Sequence, residues 1–169
     1  MAAAIMNWPV AMAVGLAGVA GLVAAELAMP WQVFQSEGAT VCLEATNVPG
    51  AFRVTGQGPT NSYVGVYQTR PVEPAKSYRA VLRKQVIQSG GGRGQWSLEW
   101  KDAGGGEIRR VWGPDWSLAG VEDRPQALVV TGTAPPQAAT AHLVVTFFPE
   151  PTPATNGVFV IFDVTWETQ

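Results

Sequence analysis

An all-β fold is predicted for this chain, and three runs near its C-terminus carry the prediction. Residues 128–131, 142–148 and 158–166 are rich in β-branched and aromatic side chains, and Pro, Gly, Asn or Ala-Thr punctuation bounds each run. In the last run Val158, Val160, Phe162, Val164 and Trp166 alternate with Phe159, Ile161, Asp163, Thr165 and Glu167. One of these faces is wholly apolar and therefore belongs to a core. From Trp31 onward the whole pattern is strand and turn.

The elements follow in order. Residues 31–35, 40–45 and 51–55 are short candidate strands, separated by Ser36-Glu37-Gly38 and Asn47-Val48-Pro49-Gly50. A polar turn over 56–62 precedes a strand at 63–67, where Tyr63, Gly65 and Tyr67 share a face. After the turn at 71–74, Tyr78, Ala80 and Leu82 alternate with Arg79, Val81 and Arg83, and the tyrosine face is taken as inward. The loop 89–94 is glycine-rich but lacks the Gly-Lys-Ser/Thr spacing of a phosphate cradle. Residues 95–101 put Trp96, Leu98 and Trp100 on a core face and Ser97, Glu99 and Lys101 on a solvated one. A turn at 102–106 leads back into a strand at 107–112, and a long connection over 113–125 reaches the last three strands.

Residues 1–30 differ from the rest. The only ionisable side chain before Glu37 is Glu26, and the first basic residue is Arg53. The composition permits a helix between Pro9 and Pro30. An assembly segment is the first reading, because Met12, Leu16, Val19 and Val23 make a seam and Gly15, Gly18 and Gly21 allow close approach. A signal peptide lacks a basic leading region, although 23–25 would serve as a cleavage site. A membrane anchor lacks flanking Lys or Arg. The expected organisation is an apolar arm or helix over 1–30 and one β domain over 31–169.

The chain of 169 residues, 47% hydrophobic and 14% charged, is long enough to bury a core without disulfide or metal staples. A net charge of −2 leaves no footprint for nucleic acid as a partner. The single Cys42 sits in an alternating run and is expected to be a small buried residue.

The order of a strand, the segment 133–141 (Thr-Ala-Pro-Pro-Gln-Ala-Ala-Thr-Ala), a second strand, a Gly turn and a closing strand with Phe162-Asp163-Val164 resembles the C-terminal half of jelly-roll carbohydrate-binding modules. Upstream, 71–78 (Pro-Val-Glu-Pro-Ala-Lys-Ser-Tyr) and 100–107 (Trp-Lys-Asp-Ala-Gly-Gly-Gly-Glu) resemble a turn and a hairpin of the same family, over roughly residues 60–166. The resemblance implies a jelly-roll β-sandwich of roughly eight strands and a non-catalytic role. Many such modules hold a structural calcium with an acid in a closing Asp-Asp-Val. Here one acid is lost, and Asp163 with Glu37 or Glu44 makes a poor cage for an ion that wants six to eight oxygens. Neither a metal nor a cofactor is expected.

Catalysis has little to draw on. His142 is the only histidine, opens an apolar strand and has no nucleophile motif beside it. Glu99, Asp102, Glu107 and Asp115 form the one acid cluster and read as solvated charge. Sugar binding is better supported, because pyranose C–H groups pack on aromatic faces and hydroxyls need planar polar partners. Of seven Trp, Trp96, Trp100 and Trp166 read as core. Trp112 and Trp116 flank the turn-forming Gly113-Pro114-Asp115 and are the candidate platform, with Arg79, Arg83 and Glu99 as candidate hydroxyl partners. The expected protein is a non-enzymatic surface component, on a virion or outside a cell, assembled as a homo-oligomer through the N-terminal segment and with affinity for a glycan. A secreted or tethered carbohydrate-binding module is the alternative.

Overall fold

The computed structural model describes residues 31–59, 61–149 and 157–169, so the expectations for the arm at 1–30 lie outside the described residues. Ten strands are present: β1 (Gln32–Gln35), β2 (Thr40–Ala45), β3 (Phe52–Gln57), β4 (Val64–Pro71), β5 (Ser77–Gln88), β6 (Arg93–Lys101), β7 (Glu107–Ser117), β8 (Gln126–Thr133), β9 (Thr140–Phe148) and β10 (Val158–Thr168). They form two antiparallel five-stranded sheets, one in the order β1-β4-β9-β6-β7 and the other β2-β3-β10-β5-β8. The expected β-sandwich is therefore present, with ten strands instead of roughly eight.

The core lies between the sheets, as two half-buried faces require. The first sheet contributes Val64 and Val66, then Trp96, Leu98 and Trp100, then Leu143, Val145 and Phe147. The second contributes Phe52 and Val54, Tyr78, Ala80 and Leu82, and Phe159 and Ile161. Trp96 and Trp100 are fully buried, as their alternation predicts. Trp166 packs on the core margin, stacked on Tyr78 with centroids 4.6 Å apart.

Three of the four irregularities in register bear on which side chains face where around the site, and alternation alone does not anticipate them. In β10 the shift between Ile161 and Asp163 makes Phe162 an extra residue, so Phe159 and Ile161 face the core before it and Val164 and Trp166 after it. In β7 the shift opposite Trp96 leaves Gly113 and Pro114 between the partners of Ser97 and Gln95, which are Trp112 and Asp115. Pro114 is tolerated because β7 is a sheet edge, where a missing N–H breaks no ladder bond. The strand therefore continues through the segment expected to end it. The third shift makes Ile108 extra, with Lys101 paired to Glu107 and Trp100 to Arg109.

Two further expectations are corrected. Cys42 is exposed: on the edge strand β2 it is Val41 and Leu43 that pack on the core, so the register is one residue from that inferred. The inward face of β5 holds a charge, because Lys84 is only 1% exposed and pairs with Glu122 from the β7–β8 connection.

Candidate functional site

The outer face of the first sheet gathers aromatic, charged and polar side chains, and the pairing registers set out its rows. Trp112, Ser97, Val144, Tyr67 and Gln32 lie in one row across β7, β6, β9, β4 and β1. On one side of it run Arg110, Glu99, His142 and Thr69; on the other run Asp115, Gln95, Thr146, Gly65 and Phe34. Trp112 and Tyr67 are three strand spacings apart, about 14 Å, with small side chains between them. The result is a cleft of about 160 Å³ lined by Phe34, Tyr63, Glu99, Arg110, Trp112, Thr146 and Phe148. It follows β6 and β9, whose run from Glu99 to Arg93 spans about 20 Å at strand rise.

Each wall is held by local contacts. Phe34 packs 6.3 Å from both Tyr63 and Tyr67, and a Cβ on Gly65 would overlap its ring, so the glycine makes room for the aromatic cluster. Tyr67 stacks on His142 at 4.6 Å and donates its hydroxyl to Gln32 Oε1 at 2.5 Å. Opposite, the Arg110 guanidinium lies 4.7 Å from the Trp112 centroid, while Trp112 remains 55% exposed. At the far end Arg93 covers Phe148 at 4.1 Å and pairs with Asp115, which also accepts from Gln95 Nε2 at 2.8 Å.

Glu99 corrects the expectation of a solvated face. Only 6% exposed, it meets Arg110 through Oε1 at 2.5 Å and Lys101 through Oε2 at 3.1 Å. Burial pushes its carboxyl above the ordinary range, against the pull of Arg110 and Lys101. Burial also raises the Tyr67 hydroxyl, with Glu99 adding to the effect. The His142 imidazole falls to about 4, chiefly by burial and then by Lys101.

The sequence-derived candidates separate. Trp112 and Glu99 share the cleft. Trp116 does not: it is 8% exposed and in the core, edge-on to Phe159 with centroids 5.7 Å apart. The bulge at Gly113-Pro114 explains this, since it reverses alternation between the two indoles and sends one to each face. Arg79 and Arg83 lie on the second sheet, paired with Glu167 at 3.4 Å and Asp163 at 3.0 Å. The sequence reading missed Arg110, Phe34, Phe148 and Thr146. The available signal was the shared face of Tyr63, Gly65 and Tyr67, which identified one wall but was not connected to Trp112.

Among the described residues, no group of three His, Cys, Asp or Glu is placed to hold a metal ion. No helix among them is long and apolar enough to cross a membrane. No family model matches the chain, and no curated protein matches it. Solved structures do. The enzymatically active domain of tailspike protein 4 from Bacteriophage CBA120 superposes with a TM-score of 0.59 at 15% identity over 86% of this chain, which spans 20% of that one. A family 11 carbohydrate-binding module from Clostridium thermocellum, solved with a β-1,3-1,4-mixed-linked tetrasaccharide, gives 0.57 at 13% identity over 79% of this chain and 86% of that one. A CBM4 structure gives 0.56 at 17% identity over 82% and 86%. The described β-sandwich has the jelly-roll fold of carbohydrate-binding modules.

Proposed function

We propose that this domain binds a glycan chain, without cleaving it, in the cleft on the outer face of its first sheet. The observation that carries the reading is the cleft itself: an exposed Trp112 faces the Phe34, Tyr63 and Tyr67 cluster across a floor of small and polar side chains. Aromatic faces take pyranose C–H groups, and Glu99, Arg110, Gln95 and Thr146 offer hydroxyl partners. The fold likeness to a module solved with a mixed-linked tetrasaccharide supports it. Against hydrolysis, Glu99 is tied to two cations and Glu107 to the same two, which leaves neither placed as a free acid and base pair. Trp112→Ala should weaken binding to neutral β-glucan or xylan oligosaccharides by about 1 to 3 kcal/mol with little change in melting temperature. Unchanged affinity across the panel would end the reading.

The tailspike likeness favours a second element, in which the domain is displayed on a virion surface, and the seam of Met12, Leu16, Val19 and Val23 motivates assembly through residues 1–30. Deletion of residues 1–29 should then give a folded monomer. An unchanged oligomeric state excludes that role.

A further inference from the structure

We propose that Lys101 and Glu107 are positioning residues: with Glu99 and Arg110 they close a ring of two cations and two carboxylates that clamps Arg110 against Trp112 and makes the cleft select uncharged over anionic saccharides. The inference rests on the glycan reading for its selectivity and on geometry alone for the clamp.

The ring is closed on every side. Lys101 Nζ stands 3.1 Å from Glu99 and 3.6 Å from Glu107, while Arg110 Nη2 stands 2.5 Å from Glu99 and 2.8 Å from Glu107. Three of the side chains are largely shielded, at 8% exposure for Glu99, 12% for Lys101 and 17% for Arg110, while Glu107 at the strand's start is more open, its side chain 28% exposed. Residues 107 and 110 would face opposite ways on a regular strand. The extra residue Ile108 sets Glu107 opposite Lys101 and Arg110 opposite Glu99, which brings both to one face. The hairpin behind them is fixed by Asp102, whose Oδ1 accepts from the amides of Gly104 at 2.9 Å and Gly106 at 2.8 Å.

Neither Lys101 nor Glu107 lines the cleft; Glu99, Arg110 and Trp112 do. The two outer members therefore act through the inner ones. Glu107 takes Arg110 in a fork, with Oε1 accepting from Nε at 3.2 Å and Oε2 from Nη2 at 2.8 Å. That fixes the plane of the guanidinium lying 4.7 Å from the Trp112 centroid. The ring's charges sum to zero, and Arg93 at the other end is matched by Asp115. An anionic saccharide thus meets cations already paired and carboxylates that repel it, whereas a neutral one meets a preformed platform.

The test uses Glu107→Gln and Lys101→Met, titrated with neutral β-glucan and xylan oligosaccharides and with a carboxymethylated form of the same glucan. Loss of the clamp frees one rotamer-rich side chain, so both variants should bind the neutral probes about three- to tenfold more weakly. Their responses to the anionic probe should have opposite signs: Glu107→Gln leaves an excess cation and gains affinity for it, and Lys101→Met loses it. Lys101→Arg should restore neutral binding. A readout without ligand accompanies these, namely the upfield ring-current shift of the Arg110 side-chain protons over the indole, which should collapse in Glu107→Gln, where the fork is lost, and weaken in Lys101→Met, where the fork remains but Lys101 no longer pins its carboxylate. Persistence of that shift in both, or wild-type preference for the carboxymethylated glucan, overturns the proposal. If the wild type binds no neutral glycan, the glycan reading and the selectivity fail together, while the ring-current shift still decides whether the ring holds Arg110.

Discussion

Glu122→Gln and Lys84→Met remove opposite halves of one buried ion pair, and their costs should differ severalfold. Lys84 is 1% exposed on the inward face of β5, between Leu82 and Val86, with its ammonium donating to Glu122 Oε1 and standing 5.2 Å from the Trp116 centroid. Glu122 is 23% exposed and does more than pair: its Oε2 accepts from the Val86 amide at 2.7 Å and its own amide donates to the Val86 carbonyl at 2.9 Å. Replacing Glu122 by Gln leaves an ammonium in the sandwich with no compensating charge, a change that costs about 3 to 5 kcal/mol. For a domain of this size that corresponds to roughly 6 to 20 °C in melting temperature. Replacing Lys84 by Met removes the charge, keeps the volume and sets a thioether against Trp116, while the freed carboxylate still reaches water and the Val86 amide. That change should lie within about 1 kcal/mol of wild type, in either direction. Thermal and denaturant melts of both variants and the double variant read the difference. A Glu122→Gln protein as stable as wild type, or a Lys84→Met protein that loses more than Glu122→Gln, would refute the reasoning.

Trp116→Ala, which empties a core site against Gly94 and Phe159, should cost about 3 to 5 kcal/mol in a denaturant melt, and a loss below about 1 kcal/mol would mean the indole is not core. Native Cys42 should label with a thiol reagent as fast as the unfolded chain, since it is exposed on β2; protection would contradict the corrected register. His142 titrates at about 4 folded against 6.5 unfolded, so the unfolded chain binds more protons between those values and stability falls as pH drops through that window. The raised carboxyl of Glu99 acts with the opposite sign. Melts from pH 7 to pH 4 should lose less stability in His142→Gln than in wild type, and an equal loss in both would place the cause elsewhere.

The fold was legible in the sequence because its signal is local. Alternation in 95–101 sent Trp96, Leu98 and Trp100 inward, and the Asp102-Gly105 turn joined two strands as expected. The site was less legible because its geometry depends on bulges and on pairing between distant strands. Trp112 and Trp116 look equivalent around Gly113-Pro114-Asp115 until one extra residue in β7 reverses their faces. Arg79 and Glu99 each face outward, but from different sheets, and only the strand order shows that they cannot meet. Phe34 and Trp112 line one cleft from opposite edges of a sheet although 78 positions apart in sequence, a placement that only the strand order and register establish.

The most direct test of the central claim is a residue-by-residue map of backbone amide shifts during titration with a neutral β-glucan or xylan oligosaccharide. A cleft on the first sheet predicts that the saturable shifts cluster at Gln95, Ser97, Glu99, Arg110, Trp112, Thr146 and Phe34, and that Arg79, Arg83, Asp163 and Glu167 on the second sheet stay still. Saturable shifts centred on the second sheet, or none on either face at millimolar oligosaccharide, would contradict the account.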